Sequence, residues 1–158
     1  MKSRPALVIG VLVALIVAGA TLVYAQSGPP GAGRDPHTLT GSWIVSSTPD
    51  EGSPVGPFRC YTAYLKDDVA ISIASAGTQL IGTWTRTGGN RFATMYMGTE
   101  PWGGEILQLK AWETIELSSS GQAFTGRFVT EVSPPDGSWH ATVSGDMAGT
   151  RMQVEPLD

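Results

Sequence analysis

One side chain in this 158-residue chain interrupts a pattern in a way that chemistry could use. In residues 105–117, EILQLKAWETIEL, the apolar side chains Leu107, Leu109, Ala111, Ile115 and Leu117 alternate onto one face. Glu113 falls on the same face. On a regular strand its carboxyl group points inward with them. A buried, unpaired carboxylate is costly, so such a group pairs, keeps its proton or meets water in a cavity. A raised pKa there would suit a general base, or a group that holds the polar end of a ligand. Arg127 or Arg151 would instead neutralise it. A β-bulge near Trp112 would turn it outward. The sequence leaves both orientations open.

The rest of the chain offers little reactive chemistry. Two histidines, His37 and His140, stand far apart without the clusters that hold a metal, so no metal site is expected. Cys60 is the single cysteine, which rules out a disulfide within the chain and reads as a small buried hydrophobe. No serine sits in a Gly-x-Ser-x-Gly elbow, and Gly88-Gly89 lacks the context of a phosphate loop. Ser144-Gly145-Asp146 reads as a turn by composition. No catalytic residue and no cofactor is assigned.

Elements that would position Glu113 are strands. From Leu39, the residues Leu39, Gly41, Trp43 and Val45 alternate with Thr40, Ser42 and Ser46, the rhythm of a half-buried strand. A turn-rich loop covers 48–57. A second run, Phe58 to Leu65, meets Val69 to Ile73 across Lys66-Asp67-Asp68, which predicts a hairpin. Leu80 to Thr87 and Arg91 to Gly98 flank Gly88-Gly89-Asn90, a second hairpin. Glu100 to Gly104 reads as a loop before the Glu113 strand. Phe124 to Val132 follows. Beyond Pro134-Pro135-Asp136-Gly137 come Trp139, Ala141 and Val143, then a turn near Gly145 to Gly149, then Met152 and Val154. Eight or nine short strands with short sequential connections predict an all-β domain over residues 38–158. Its expected form is a single antiparallel up-and-down barrel of about eight strands.

The N-terminal segment has a different character. Lys2 and Arg4 precede an uncharged run from Pro5 to Ala25 that ends in Val23-Tyr24-Ala25. A basic start, an apolar stretch and a small final residue describe a signal peptide, cut before Gln26. The same run, uncleaved, is long enough to anchor the chain as a helix in ~30 Å of hydrocarbon. Positive charge stays inside in either case, so the remainder is expected to be secreted or otherwise outside the cytoplasm. Any contact with a membrane would then come through residues 6–25. Residues 26–37, rich in Gly, Pro and Ser, read as a flexible linker. Residues 26–158 carry a net charge near −6. No basic stripe is present to meet phosphates, so nucleic acid is excluded as a partner.

Three Gly-x-Trp units recur: Gly41-Ser42-Trp43, Gly82-Thr83-Trp84 and Gly137-Ser138-Trp139. In each, the Gly would leave room on the face where the Trp fills the core. Such a unit on the first strand of an eight- or nine-strand exported barrel resembles the calycins, the lipocalins and avidins. The resemblance implies a basic side chain near the last strand packed over the first Trp, and Arg151 stands in that place. The chain is also similar to lipocalin-like barrels exported by bacteria. It departs from secreted lipocalins in having no disulfide pair and no clear helix before the final strand. Gly82-Thr83-Trp84 echoes the avidin repeat without a matching set of biotin contacts.

The function expected from this reading is binding of a small apolar or amphipathic molecule in the barrel mouth. Trp43, Trp84, Phe92 and Tyr96 would line it, and Glu113 would be the polar group. Two other functions fit the same residues: a barrel isomerase or cyclase using Glu113 as acid or base, and a filled barrel acting as a surface interaction module.

Overall fold

The computed structural model describes residues 37–153. The signal or anchor segment, 1–25, and all of the linker except His37 lie outside these residues. Eight strands follow in order: β1 (Gly41–Pro49), β2 (Phe58–Tyr64), β3 (Val69–Ala74), β4 (Gln79–Gly88), β5 (Arg91–Trp102), β6 (Glu105–Leu117), β7 (Ala123–Ser133) and β8 (Ala141–Arg151). Each pairs antiparallel with the next, and β8 pairs back onto β1, so the sheet closes into an up-and-down barrel. No helix occurs among the described residues. Closure leaves no sheet edge open to another chain.

The two-residue period sets the interior. Trp43, Val45 and Ser47 from β1 face inward with Thr62 and Tyr64 from β2, and Ala70 and Ser72 from β3. Across the barrel they meet Phe92, Thr94 and Tyr96 from β5, Leu107 to Leu117 from β6, Phe124 and Phe128 from β7, and Val143 and Met147 from β8. Several apolar side chains remain on the outer face, including Tyr61, Ile73, Ile81 and Met97.

One end of the barrel is plugged by a compact arrangement. Arg151 pairs with Trp43 across the β1–β8 seam, and its guanidinium lies 4.3 Å from the Trp43 ring centroid. That guanidinium donates to three backbone carbonyls: Thr40 at 2.6 Å, Thr38 at 2.8 Å and Gly121 at 2.8 Å. A side chain on Gly41 would stand 2.6 Å from the guanidinium, so the glycine of the first Gly-x-Trp unit makes the room that the arginine fills. Trp43 donates its indole N–H to the Leu39 carbonyl at 2.8 Å and packs on Phe124 at 4.9 Å between centroids. This is the contact that the calycin resemblance implied for Arg151.

Three local readings are corrected. No turn lies at 145–149, because β8 runs unbroken through it. Gly145 and Gly149 face inward, where a Cβ would collide with the Phe128 and Phe124 rings respectively. These glycines mark close approach within a strand rather than a change of direction. Second, β5 continues through Trp102, since its ladder with β6 extends to the Trp102–Glu105 pair and Gly103-Gly104 alone makes the turn. Both turn glycines have positive φ, 59° and 90°, which matches their residue type. Third, the Gly137–Trp139 unit is not a core element. Gly137 sits in the turn after Pro134 with φ 67°, and Trp139 is 43 % exposed.

Two variants test the packing. Arg151→Met leaves carbonyls of Thr38, Thr40 and Gly121 without their donor and is expected to cost about 3 kcal/mol in urea unfolding. Gly149→Ala is expected to cost about 1–3 kcal/mol by overpacking against Phe124. Adding Phe124→Leu to Gly149→Ala should recover part of that loss, giving a non-additive cycle.

Candidate functional site

Glu113 points into the barrel. Its register is regular on both sides, against Thr94 of β5 and Phe128 of β7, so no bulge at Trp112 turns it outward. Oε2 accepts a hydrogen bond from the Thr94 hydroxyl at 2.9 Å and another from the Tyr64 hydroxyl at 3.3 Å. Tyr64 belongs to β2, on the opposite wall, so the second bond crosses the interior. The outward alternative is thereby excluded.

The group is not neutralised by arginine. Arg127 faces out and holds Asp50 at 2.9 Å and Asp146 at 3.2 Å, tying the start of the β1–β2 loop to β7 and β8. Arg151 serves the plug at the far end of its strand. Hydroxyls alone therefore oppose the cost of burial. Burial pushes the Glu113 carboxyl above its ordinary value of 4.5, while hydroxyls of Thr94, Tyr64 and Tyr96 draw it back. The same burial, followed by the charge of Glu113, holds Tyr64 and Tyr96 well above the usual phenol range. Both remain neutral O–H groups at physiological pH.

Tyr96 is the anomaly in the cluster. It is fully buried and close enough to Glu113, Tyr64 and Thr94 to bias the ionisation of the carboxyl group, yet its hydroxyl meets none of them at full hydrogen-bond geometry. A buried hydroxyl without a well-formed bond costs about 1–3 kcal/mol, and no solvent-sized space adjoins this one. Glu113 itself is only half-buried, and no described residue donates to its Oε1.

Walls around this cluster differ at the two ends. Toward the plug, Tyr64 packs edge-on against Trp84 at 6.2 Å, and Trp84 lies 5.8 Å from Phe92, with the Trp84 indole N–H bound to the Leu65 carbonyl. Trp43, Phe92, Tyr64 and Tyr96 are at most 2 % exposed. Toward the other end, the inward-facing Phe58, Cys60 and Leu80 are only half-buried. Thr62 and Ser72 bind each other at 3.0 Å across β2 and β3 below them. Burial raises the Cys60 thiol, aided by the Glu113 charge, so it stays protonated.

Of the five residues expected to line a site, Tyr96 and Glu113 come together around one polar cluster. Trp84 and Phe92 lie in an aromatic layer beneath it, and Trp43 belongs to the plug. Sequence reasoning missed Tyr64 and Thr94. Both follow from the strand period, since Tyr64 shares the inward face with Thr62 and Thr94 sits two residues from Tyr96. Their convergence on Glu113 depends on closure. No group of three metal-binding side chains occurs among the described residues. A groove of about 560 Å³ runs along the outer surface between Arg91, Thr114, Glu116, Arg127 and Asp146, and it is separate from this interior cluster.

The raised Glu113 value has a sign for stability. The folded protein holds this proton more tightly than the unfolded chain does. The resulting stability is complete below the unfolded value and is lost as pH rises through the folded value. Glu113→Gln keeps an acceptor for Tyr64 and Thr94 but cannot ionise. Relative to Glu113→Gln, the unsubstituted protein is expected to lose stability as pH is raised above the ordinary carboxyl value of 4.5, read by urea unfolding over a pH series. A difference that stays flat with pH would contradict the assignment.

No protein-family model, no curated protein and no solved structure matches this chain.

Proposed function

We propose that this protein is an exported lipocalin-like barrel that binds one small apolar or amphipathic molecule in its interior, admitted at the end opposite the Trp43–Arg151 plug. The observation that carries this reading is the Glu113 carboxyl group, which points into the barrel yet keeps accessible surface, with hydroxyls engaging Oε2 alone. An interior meant solely for packing would replace such groups with apolar ones. Ligand sites are mostly apolar with a few convergent polar groups, and the composition of this interior follows that rule. The closed barrel and the arginine packed on Trp43 support the lipocalin-like part. Export rests on the residue pattern of 1–25.

The single thiol gives a direct test. Cys60 faces the interior on the more open side, so its surroundings report occupancy. The neutral apolar dye N-phenyl-1-naphthylamine is expected to bind one-to-one with enhanced fluorescence. It should slow the reaction of Cys60 with a maleimide, and prior labelling with a bulky maleimide should abolish dye binding. Saturable dye binding that neither protects Cys60 nor responds to its labelling would place the dye elsewhere. No saturable binding at all would favour the filled barrel.

A further inference from the structure

We propose that the ligand of this interior site is a small amphipathic amine, its ammonium group seated against Oε1 of Glu113. This inference rests on the ligand-binding reading above and names the chemistry of the head group.

The argument is one of charge and of hydrogen-bond count. Glu113 is a carboxylate inside the barrel whose described neighbours are hydroxyls and aromatic or aliphatic carbon. The arginines nearest in the fold are committed elsewhere, Arg127 to Asp50 and Asp146 outside and Arg151 to the plug carbonyls. Missing from the cluster is a positive charge. Oε2 is saturated by two donors, so Oε1 is the acceptor left for a ligand. The Tyr96 hydroxyl is closed off from the interior space beside the cluster, so Glu113 alone presents an open acceptor there.

An ammonium group carries three donors, no acceptor and one positive charge. It matches the open carboxylate oxygen and supplies the countercharge. In a site shielded from water that pairing is far stronger than in solvent. An alcohol offers one donor and no charge. A carboxylate head would set like charges side by side, which is penalised. The aromatic layer of Tyr64, Trp84 and Phe92 and the half-buried Phe58 and Leu80 then accommodate an alkyl or aryl body.

Octylamine, octanol and octanoate separate these cases, since they differ only in the head group. Each is titrated against the full-length protein near neutral pH, displacing N-phenyl-1-naphthylamine. Octylamine is expected to displace the dye at least about tenfold more tightly than octanol, with octanoate weakest. Glu113→Gln should abolish the preference for octylamine while octanol still binds. Acidification through the Glu113 titration should weaken octylamine and leave octanol unchanged. The titratable groups that feel the Glu113 charge are Cys60 and Tyr64 from β2 and Tyr96 from β5, and all three stay neutral across that range. β7 presents Phe128, β1 Val45 and β8 Val143 and Met147, none of which ionises. Octanol or octanoate binding as tightly as octylamine, or an amine preference that survives Glu113→Gln, would overturn this inference while leaving ligand binding intact. No displacement by any of the three, with no dye binding, would overturn both.

Discussion

The barrel depends on the seam between its first and last strands, a seven-pair antiparallel ladder whose end is locked by Arg151 over Trp43. A β-sheet of eight strands has two open edges until it closes, and closure brings together residues more than a hundred positions apart. The loop entropy of that step must be offset by something local to the seam. Arg151 does this with three charge-assisted bonds to carbonyls and with stacking on the indole. The stacking works because Gly41 has no side chain in the way. Gly41, Trp43 and Arg151 therefore form one unit, in which each residue type is explained by the other two.

From that closed end the packing loosens toward the opposite one. Trp43 packs on Phe124 at the plug, and Phe92, Trp84 and Tyr64 form a second group of tilted and edge-on rings that Tyr64 joins to Glu113. Gly149 leaves room for the Phe124 ring, and Gly145 for the β1 backbone at Thr48 and Pro49 and for the Phe128 ring, so these rings pack beside the buried Ile115 and Leu117. A rigid layer beneath the carboxyl group holds its hydroxyl partners at hydrogen-bond distance without flexible side chains.

Much of the architecture was legible before folding. Alternation predicted nearly every strand, and Lys66-Asp67-Asp68 and Gly88-Gly89-Asn90 marked two hairpins correctly. The failures share a cause. Gly145, Gly149 and Gly137 are the same residue type in three surroundings, and composition alone assigns them one meaning. The first two leave space for rings that arrive from β7, and the third turns the chain. Trp139 shares the Gly-x-Trp pattern of Trp43 and Trp84, which points to the core. It is exposed because its segment belongs to a turn and not to the ladder.

The candidate site divides along the same line. Glu113 could be singled out from its own strand, because a carboxylate on an apolar face is a local contradiction. The sequence also determined the two-residue rhythm, the short connections and hence the class of fold. Tertiary structure alone decided which way Glu113 points and what it meets. Tyr64 lies 49 residues away on the opposite wall, and a hydrogen bond between them exists only once the sheet has closed. Strand period fixes which face a side chain occupies. Distance across a barrel is set by strand number, tilt and ring volume together, and no local stretch of sequence encodes that sum.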